Sequence, residues 1–115
     1  MEITMGTGMV FYELRRYEIR PGKMAEWLAL MEGEIIPFQV AQGMVIAGSF
    51  RGEGDDSTYV WIRRFESEAE RERLYEAVYK SDHWLQNLTD RVGQCINRET
   101  IQVTRLEPTA ASVLQ

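Results

Sequence analysis

Cysteine occurs once, at Cys95, and histidine once, at His83. A single cysteine excludes an intrachain disulfide framework and suits a reducing compartment. The chain has no Gly-rich phosphate loop, no cluster of His, Cys and carboxylates at metal-ligand spacing, and no Ser, His and Asp set with a geometry for nucleophilic catalysis. It has no basic run either, and 13 Lys and Arg against 18 Asp and Glu leave a net charge of -5, which argues against a nucleic-acid partner. The longest apolar runs are a few residues, and MEITMGTGMVFYE has no basic start followed by an apolar core. Neither a membrane span nor a secretory signal is expected, and a cytoplasmic protein without a membrane partner is.

What is present is a sequence of clear periodicities. Val10 to Arg20 alternates and is rich in Phe, Tyr, Leu and Ile, then stops at Arg20-Pro21-Gly22-Lys23, a first strand. Met24, Trp27, Leu28, Met31 and Ile35 follow at helical spacing. Pro37 is expected to bend or end this helix near Ile36, with a last turn running to Gly43. Met44 to Arg51 and YVWIRRF, residues 59 to 65, form a hairpin across the turn GEGDDS. Ser67 with Glu70 makes a capping box that opens a second helix, read in two pieces with a joint near Ser81. Asn97 to Glu107 alternates again as a fourth strand. The order β-α-β-β-α-β gives a ferredoxin-like α+β fold, a four-stranded antiparallel sheet with both helices on one face. One domain is expected over residues 9–107, with flexible termini at 1–8 and 108–115.

Two strands carry an unusual face. Tyr59, Trp61, Arg63 and Phe65 alternate with Val60, Ile62 and Arg64, and Phe11, Glu13, Arg15, Tyr17 and Ile19 alternate with Val10, Tyr12 and Leu14. The aromatic and charged residues are expected to share the bare face of the sheet, a patch too large for a monomer to leave in water. Covering it with a second copy of the same sheet would bury the aromatics and set Glu13, Arg15 and Arg63 around an interior cavity.

YELRRYEIRPGK, the Gly-x-Phe of Gly48-Ser49-Phe50, YVWIRRFESEAERERLYEAVYKSDHW and the strand after it resemble the NIPSNAP family over roughly residues 10 to 107. The resemblance implies the dimeric α/β-barrel fold, in which two ferredoxin-like subunits join sheet to sheet. Proteins of that fold include cofactor-free oxygenases, haem-degrading monooxygenases, isomerases and members with no assigned reaction, so the fold alone does not select a function. Alignment on Ser81-Asp82 places the haem-ligating histidine of the haem-degrading relatives at Leu88, which argues against haem, and no cofactor is expected. Arg64 stands where related members often have glycine, and Ser81-Asp82 replaces the Gly-Pro of their Tyr-x-Gly-Pro-x-Trp segment.

Glu13, Arg15, Tyr17, Trp61, Arg63 and Phe65 are the candidate substrate-binding residues, with Glu13, Arg15 and Tyr17 on the family pattern Tyr-Glu-x-Arg-x-Tyr. Glu13 and Arg15 are expected to anchor an anionic or carbonyl-bearing ligand, or else to form an interfacial ion pair that fixes dimer register. His83, with the only ordinary pKa near neutrality, and Tyr79 one turn before it are candidates for moving a proton; the alternative for His83 is an exposed helix-start residue. Trp27 reads as core, Trp84 as a packing anchor, Cys95 as inert, and the acidic turn Glu53, Asp55, Asp56 as solvated. The expected protein is a homodimer that binds a small aromatic or carbonyl- or carboxylate-bearing molecule, as a cofactor-independent monooxygenase, isomerase or cyclase. The alternative is a non-catalytic ligand-binding or protein-interaction module.

Overall fold

FYELRRYE and TYVWIRRF, rich in aromatic and β-branched residues, take the two central positions of one antiparallel sheet. The structure, a computed structural model, describes residues 10–115; the expected flexible segment 1–8 and the domain boundary at residue 9 lie outside the described residues. Strand β1 (Phe11–Glu18) pairs with β3 (Thr58–Phe65) and β4 (Gln102–Leu106), and β2 (Val45–Arg51) pairs with β3, giving the order β2-β3-β1-β4. Helices follow β1 and β3, so the chain has the ferredoxin-like α+β architecture that the order of periodicities indicated. The last strand is shorter than the alternation suggested. Asn97 accepts the Glu99 N–H and caps a 3₁₀ turn at Arg98–Thr100, so β4 starts only at Gln102.

Of the two outcomes expected at Pro37 the helix does not end near Ile36; it runs on to Gly43, where its last turn was expected. Helix α1 (Met24–Leu30) runs through a widened turn at Met31–Ile35 into α2 (Ile36–Gln42) without leaving helical backbone angles. Pro37 brings no N–H and its ring crowds the carbonyl four residues back, and the widened turn just before it accommodates both. Gly43 then stops the helix at φ 110, where a side chain would be strained. Helix α3 (Glu68–Tyr79) opens with the Ser67 hydroxyl accepting the Glu70 N–H at 3.1 Å. Ser81 sews the joint to the next segment, donating to the Val78 carbonyl and accepting the Trp84 N–H. A second widened turn, Trp84–Leu88, leads into α4 (Thr89–Cys95). Among the described residues no helix is long and apolar enough to cross a membrane.

The register sets Phe11 opposite Phe65, Glu13 opposite Arg63, Arg15 opposite Trp61 and Tyr17 opposite Tyr59, so these residues do share one face. That face is the one the helices cover, which corrects the expectation that it is bare. Tyr17, Tyr59 and Trp61 pack with Trp27, Met31, Ile35, Leu88 and Val92 in the main core, and Phe11 and Phe65 pack with Leu74 and Val78 in a second cluster. The physical reason is bulk: the aromatic face offers more apolar area to the helix stripes, and its charges are neutralised by one another rather than by a partner.

The opposite face carries Leu14, Val60 and Ile62 at its centre, with Arg16 and Arg64 between them. Gly48 and Phe50 of β2 pair with Ile62 and Val60, and Leu106 of β4 pairs with Tyr12. Phe50 is 57% exposed and Val45 49%. The segment after Pro108, expected to be flexible, lies back against Tyr12, Ile62 and Leu106, and the Gln115 carbonyl accepts hydrogen bonds from the Tyr12 hydroxyl and Arg64 Nε.

Candidate functional site

Glu13 and Arg63 face each other across β1 and β3 with side chains fully buried. Burial alone would make both charges unaffordable, so their partners decide what the pair is. Arg63 Nη2 donates to Glu13 Oε1 at 2.6 Å and to the Tyr75 hydroxyl at 2.7 Å. Its Nη1 donates to Gln39 Oε1 at 2.9 Å and to the Tyr79 hydroxyl at 2.8 Å. The Tyr75 hydroxyl in turn donates a hydrogen bond to Glu13 Oε1 at 2.6 Å, and Arg71 Nε donates to Glu13 Oε2 at 3.1 Å. The guanidinium also lies 4.5 Å from the Trp61 ring centre. Burial pushes the Glu13 carboxyl up, but the charge of Arg63 and the bond from Tyr75 outweigh it and hold the pKa at about 2. Arg63 is pushed down by burial and carried back above its usual value by Tyr79, Tyr75 and Glu13. Glu13 and Arg63 are therefore an enclosed, charged pair held by their neighbours.

Beside this pair a cavity of about 340 Å³ opens between the sheet and the helices. Trp27, Met31, Ile35, Trp61, Val92 and Ile96 give it apolar walls, and Arg15, Tyr17, Gln39, Tyr75 and Tyr79 its polar groups. Trp84 lines it too, so all three tryptophans of the chain stand on this wall. The size, the apolar lining and the few convergent polar groups are those of a small-molecule site. Arg15 is held loosely toward the enclosed pair, 3.4 Å from Glu13 and 3.3 Å from the Tyr75 hydroxyl, while its Nε donates to the Tyr17 hydroxyl at 3.0 Å. Burial raises the pKa of Tyr17, and burial likewise raises that of Tyr75, so both are neutral phenols at ordinary pH.

The candidate residues thus separate. Arg15, Tyr17, Trp61 and Tyr79 reach the cavity wall, and Glu13 and Arg63 lie just behind it. Phe65 is turned into the cluster with Phe11, Leu74 and Val78. His83 stands on the surface, edge-on to Phe38 with ring centres 4.8 Å apart and its Nδ1 3.1 Å from the Asn87 amide nitrogen. Among the described residues no imidazole and no carboxylate lines the cavity. Cys95 is buried with its thiol toward Glu26, and burial pushes its pKa up, which suits an unreactive sulfur.

Five residues of the site escape a reading by pattern alone. Arg71, Tyr75 and Tyr79 recur every four residues, and that spacing on one helix face was the available signal for the first two. Trp27 and Trp84 have core spacing, which conceals that one edge of each meets open space. Gln39 gave no signal, because it arrives at Arg63 only by the helix continuing through Pro37.

Residues 12–112 match the NIPSNAP family. A solved NIPSNAP family protein from Agrobacterium tumefaciens is 28% identical over 93% of this chain and 92% of that one, with a TM-score of 0.81. A second protein of that family and organism, of unknown function, is 23% identical over 93% and 95% of the two chains, with a TM-score of 0.83. More distantly, SnoaB from Streptomyces nogalater, a cofactor-independent oxygenase, shares the fold at 16% identity over 92% and 98% of the two chains, with a TM-score of 0.66. No curated protein matches the chain.

Proposed function

We propose that this chain, which belongs to the NIPSNAP family, binds a small organic molecule in the cavity between its sheet and its helices, with a carbonyl or carboxylate of that molecule anchored on Arg15. The observation that carries the reading is the mismatch at Arg15. Both terminal nitrogens of Arg63 are taken into short bonds within the enclosed cluster, whereas Arg15 lines the cavity with its side chain 18% exposed and only long contacts from Nη1 to Glu13 and Tyr75. A planar, permanently charged donor beside an apolar space is suited to a planar acceptor on an apolar body.

The bare face supplies the second part of the proposal, a homodimer. Phe50, Val45, Val60 and Leu14 leave an apolar surface beside Ile62 and Leu106, against which the segment after Pro108 already lies, and a second copy of the sheet covers it by face-to-face packing. In this arrangement each subunit keeps its own cavity on the far side of its sheet.

If the site is catalytic, its chemistry is cofactor-independent, and the group that meets a substrate oxygen is Tyr79, fixed by Arg63 and Gln39. The fold shared with SnoaB, a cofactor-independent oxygenase, supports that class, of which monooxygenase, isomerase and cyclase are members. One observation favours the second reading, a non-catalytic binding module: among the described residues the cavity wall has donors but no base, since Glu13 is enclosed and His83 is outside.

Intrinsic fluorescence tests the binding claim, because the three tryptophans all report on the cavity. Titration with a panel of aromatic acids and ketones should give saturable quenching for a subset of them. Arg15→Ala should weaken that binding by about 2 kcal/mol, near thirtyfold, the value of a charge-assisted hydrogen bond. Binding unchanged in Arg15→Ala, or no quenching by any member of the panel, contradicts the proposal.

A further inference from the structure

The cavity's polar lining has hydrogen bonds to give and almost nothing left with which to accept. Glu13 is enclosed behind the wall and occupied by Arg63, Arg71, Tyr75 and Arg15. Gln39 Oε1 is taken by Arg63 Nη1 at 2.9 Å. The Tyr79 oxygen accepts from Arg63 Nη1 at 2.8 Å and from Gln39 Nε2 at 3.3 Å, and the Tyr17 oxygen accepts from Arg15 Nε at 3.0 Å. Among the described residues neither of those two hydroxyl protons has an acceptor, nor does Arg15 Nη2. Three further donors are stranded among the described residues: Arg63 Nε, behind the cavity wall, and the indole N–H groups of Trp27 and Trp61, residues only 1% and 2% exposed that both line the cavity. A buried donor without a partner is costly enough to be rare in folded proteins.

The charges point the same way. On the cavity wall β1 presents Arg15 and Tyr17, α3 presents Tyr75 and Tyr79, the 3₁₀ turn presents Arg98, and α1 and α2 present Trp27 and the neutral Gln39, while Glu13, Arg63 and Arg71 lie behind it. Arg71 is shared with Glu68. Arg15 and Arg63 are left against the single carboxylate Glu13, an excess of one positive charge before Arg98 is counted.

We infer that the cavity takes its ligand as a delocalised oxyanion, an aromatic phenolate or enolate bearing a second carbonyl-type oxygen, and not as the neutral molecule. This rests on the reading of the cavity as a ligand site and says what that ligand is. The donors come from β1, β3, α1 and α3, so the acceptors they meet are spread around the molecule and are not gathered in one carboxylate. The volume of about 340 Å³ is that of about eleven water molecules at about 30 Å³ each, the room of a bicyclic ring system. A positive surplus and hydrogen bonds to the charged form both lower the pKa of a bound acid, so binding here ionises it. The burial-raised pKa of Tyr17 is consistent with this, since the phenol keeps its proton and remains a donor.

7-Hydroxycoumarin is the probe: it is bicyclic, its hydroxyl and lactone carbonyl stand at opposite ends, and its neutral and ionised forms absorb differently. With the full chain in excess, its titration midpoint should fall by one pH unit or more, equivalent to the anion binding at least about tenfold tighter than the neutral form. 7-Methoxycoumarin, which cannot ionise, should bind at least tenfold more weakly than the anion. Tyr79→Phe, with folding checked by its thermal melt, should reduce the anion's preference at least threefold. If both coumarins bind equally and the midpoint stays where it is in water, this inference is overturned while the cavity remains a ligand site. If neither quenches tryptophan fluorescence, both it and the binding reading fall. The midpoint measured on the unsubstituted chain decides the matter even if Tyr79→Phe does not fold.

Discussion

Replacing Glu13 by Gln removes one charge from the centre of the fold while leaving its shape almost unchanged. The carboxylate is fully buried and receives Arg63 at 2.6 Å, Tyr75 at 2.6 Å and Arg71 at 3.1 Å. An amide there accepts through one oxygen only and turns two donor hydrogens toward a cluster that is already rich in donors. Arg63 would then be a buried cation without its counter-charge, and breaking a buried pair from one side costs about 3–5 kcal/mol. Taking about 4 kcal/mol, and roughly 4 °C per kcal/mol for a domain of this size, the melting temperature should fall on the order of 15 °C at pH 7 and fixed protein concentration. The pH dependence carries a sign that can be checked. The Glu13 pKa is lowered from 4.5 to about 2, so its contribution to stability is fully present above pH 4.5 and is lost as the pH falls toward 2. Circular-dichroism melts of the unsubstituted chain between pH 6 and 2.5 should therefore show a loss of stability in that window, and Glu13→Gln should show less of it. A variant that melts within about 5 °C of the unsubstituted chain would refute the claim that this pair is an enclosed structural charge centre.

Two further outcomes follow from the faces of the sheet and the place of the histidine. Phe50→Glu, on the bare face where the side chain is 57% exposed, should yield monomers in sedimentation at micromolar concentration, whereas Trp61→Phe, on the helix side, should leave the dimer intact; a monomeric unsubstituted chain would defeat the dimer proposal. His83→Ala should change ligand affinity by less than about twofold, because the ring lies on the surface against Phe38; a tenfold loss in the same fluorescence titration would put the imidazole back in the site.

Much of this architecture is legible in the residues because it rests on local rules. The period-two alternation of FYELRRYE and TYVWIRRF, the capping pair Ser67 and Glu70, and the turn chemistry of GEGDDS each act over a few residues. Alternation also shows that Glu13, Arg15, Tyr17, Trp61 and Arg63 share a side. It does not show which side the helices take, and the intuition that charges belong at a subunit contact chose the wrong one. Arg63 shows why: its charge is matched by Glu13 from 50 positions away and by Tyr75, Tyr79 and Gln39 from two helices, none of which is local in the chain. Pro37 was a sound local stop signal overridden by a widened turn, and that override is what delivers Gln39 to the site. His83 drew notice by being the only one of its kind, which is a property of composition and carries no information about position.

The claim on which the rest depends is that the ligand sits between the sheet and the helices, on the aromatic side of each subunit. A crystal structure of the chain grown with 7-hydroxycoumarin measures this directly. The molecule should appear among Trp27, Trp61 and Trp84, with one oxygen within hydrogen-bond distance of the Tyr79 hydroxyl and another near the Arg15 guanidinium. A molecule lying instead on the face of Phe50, Val60 and Ile62, or a cavity empty of it at saturating concentration, would contradict the claim.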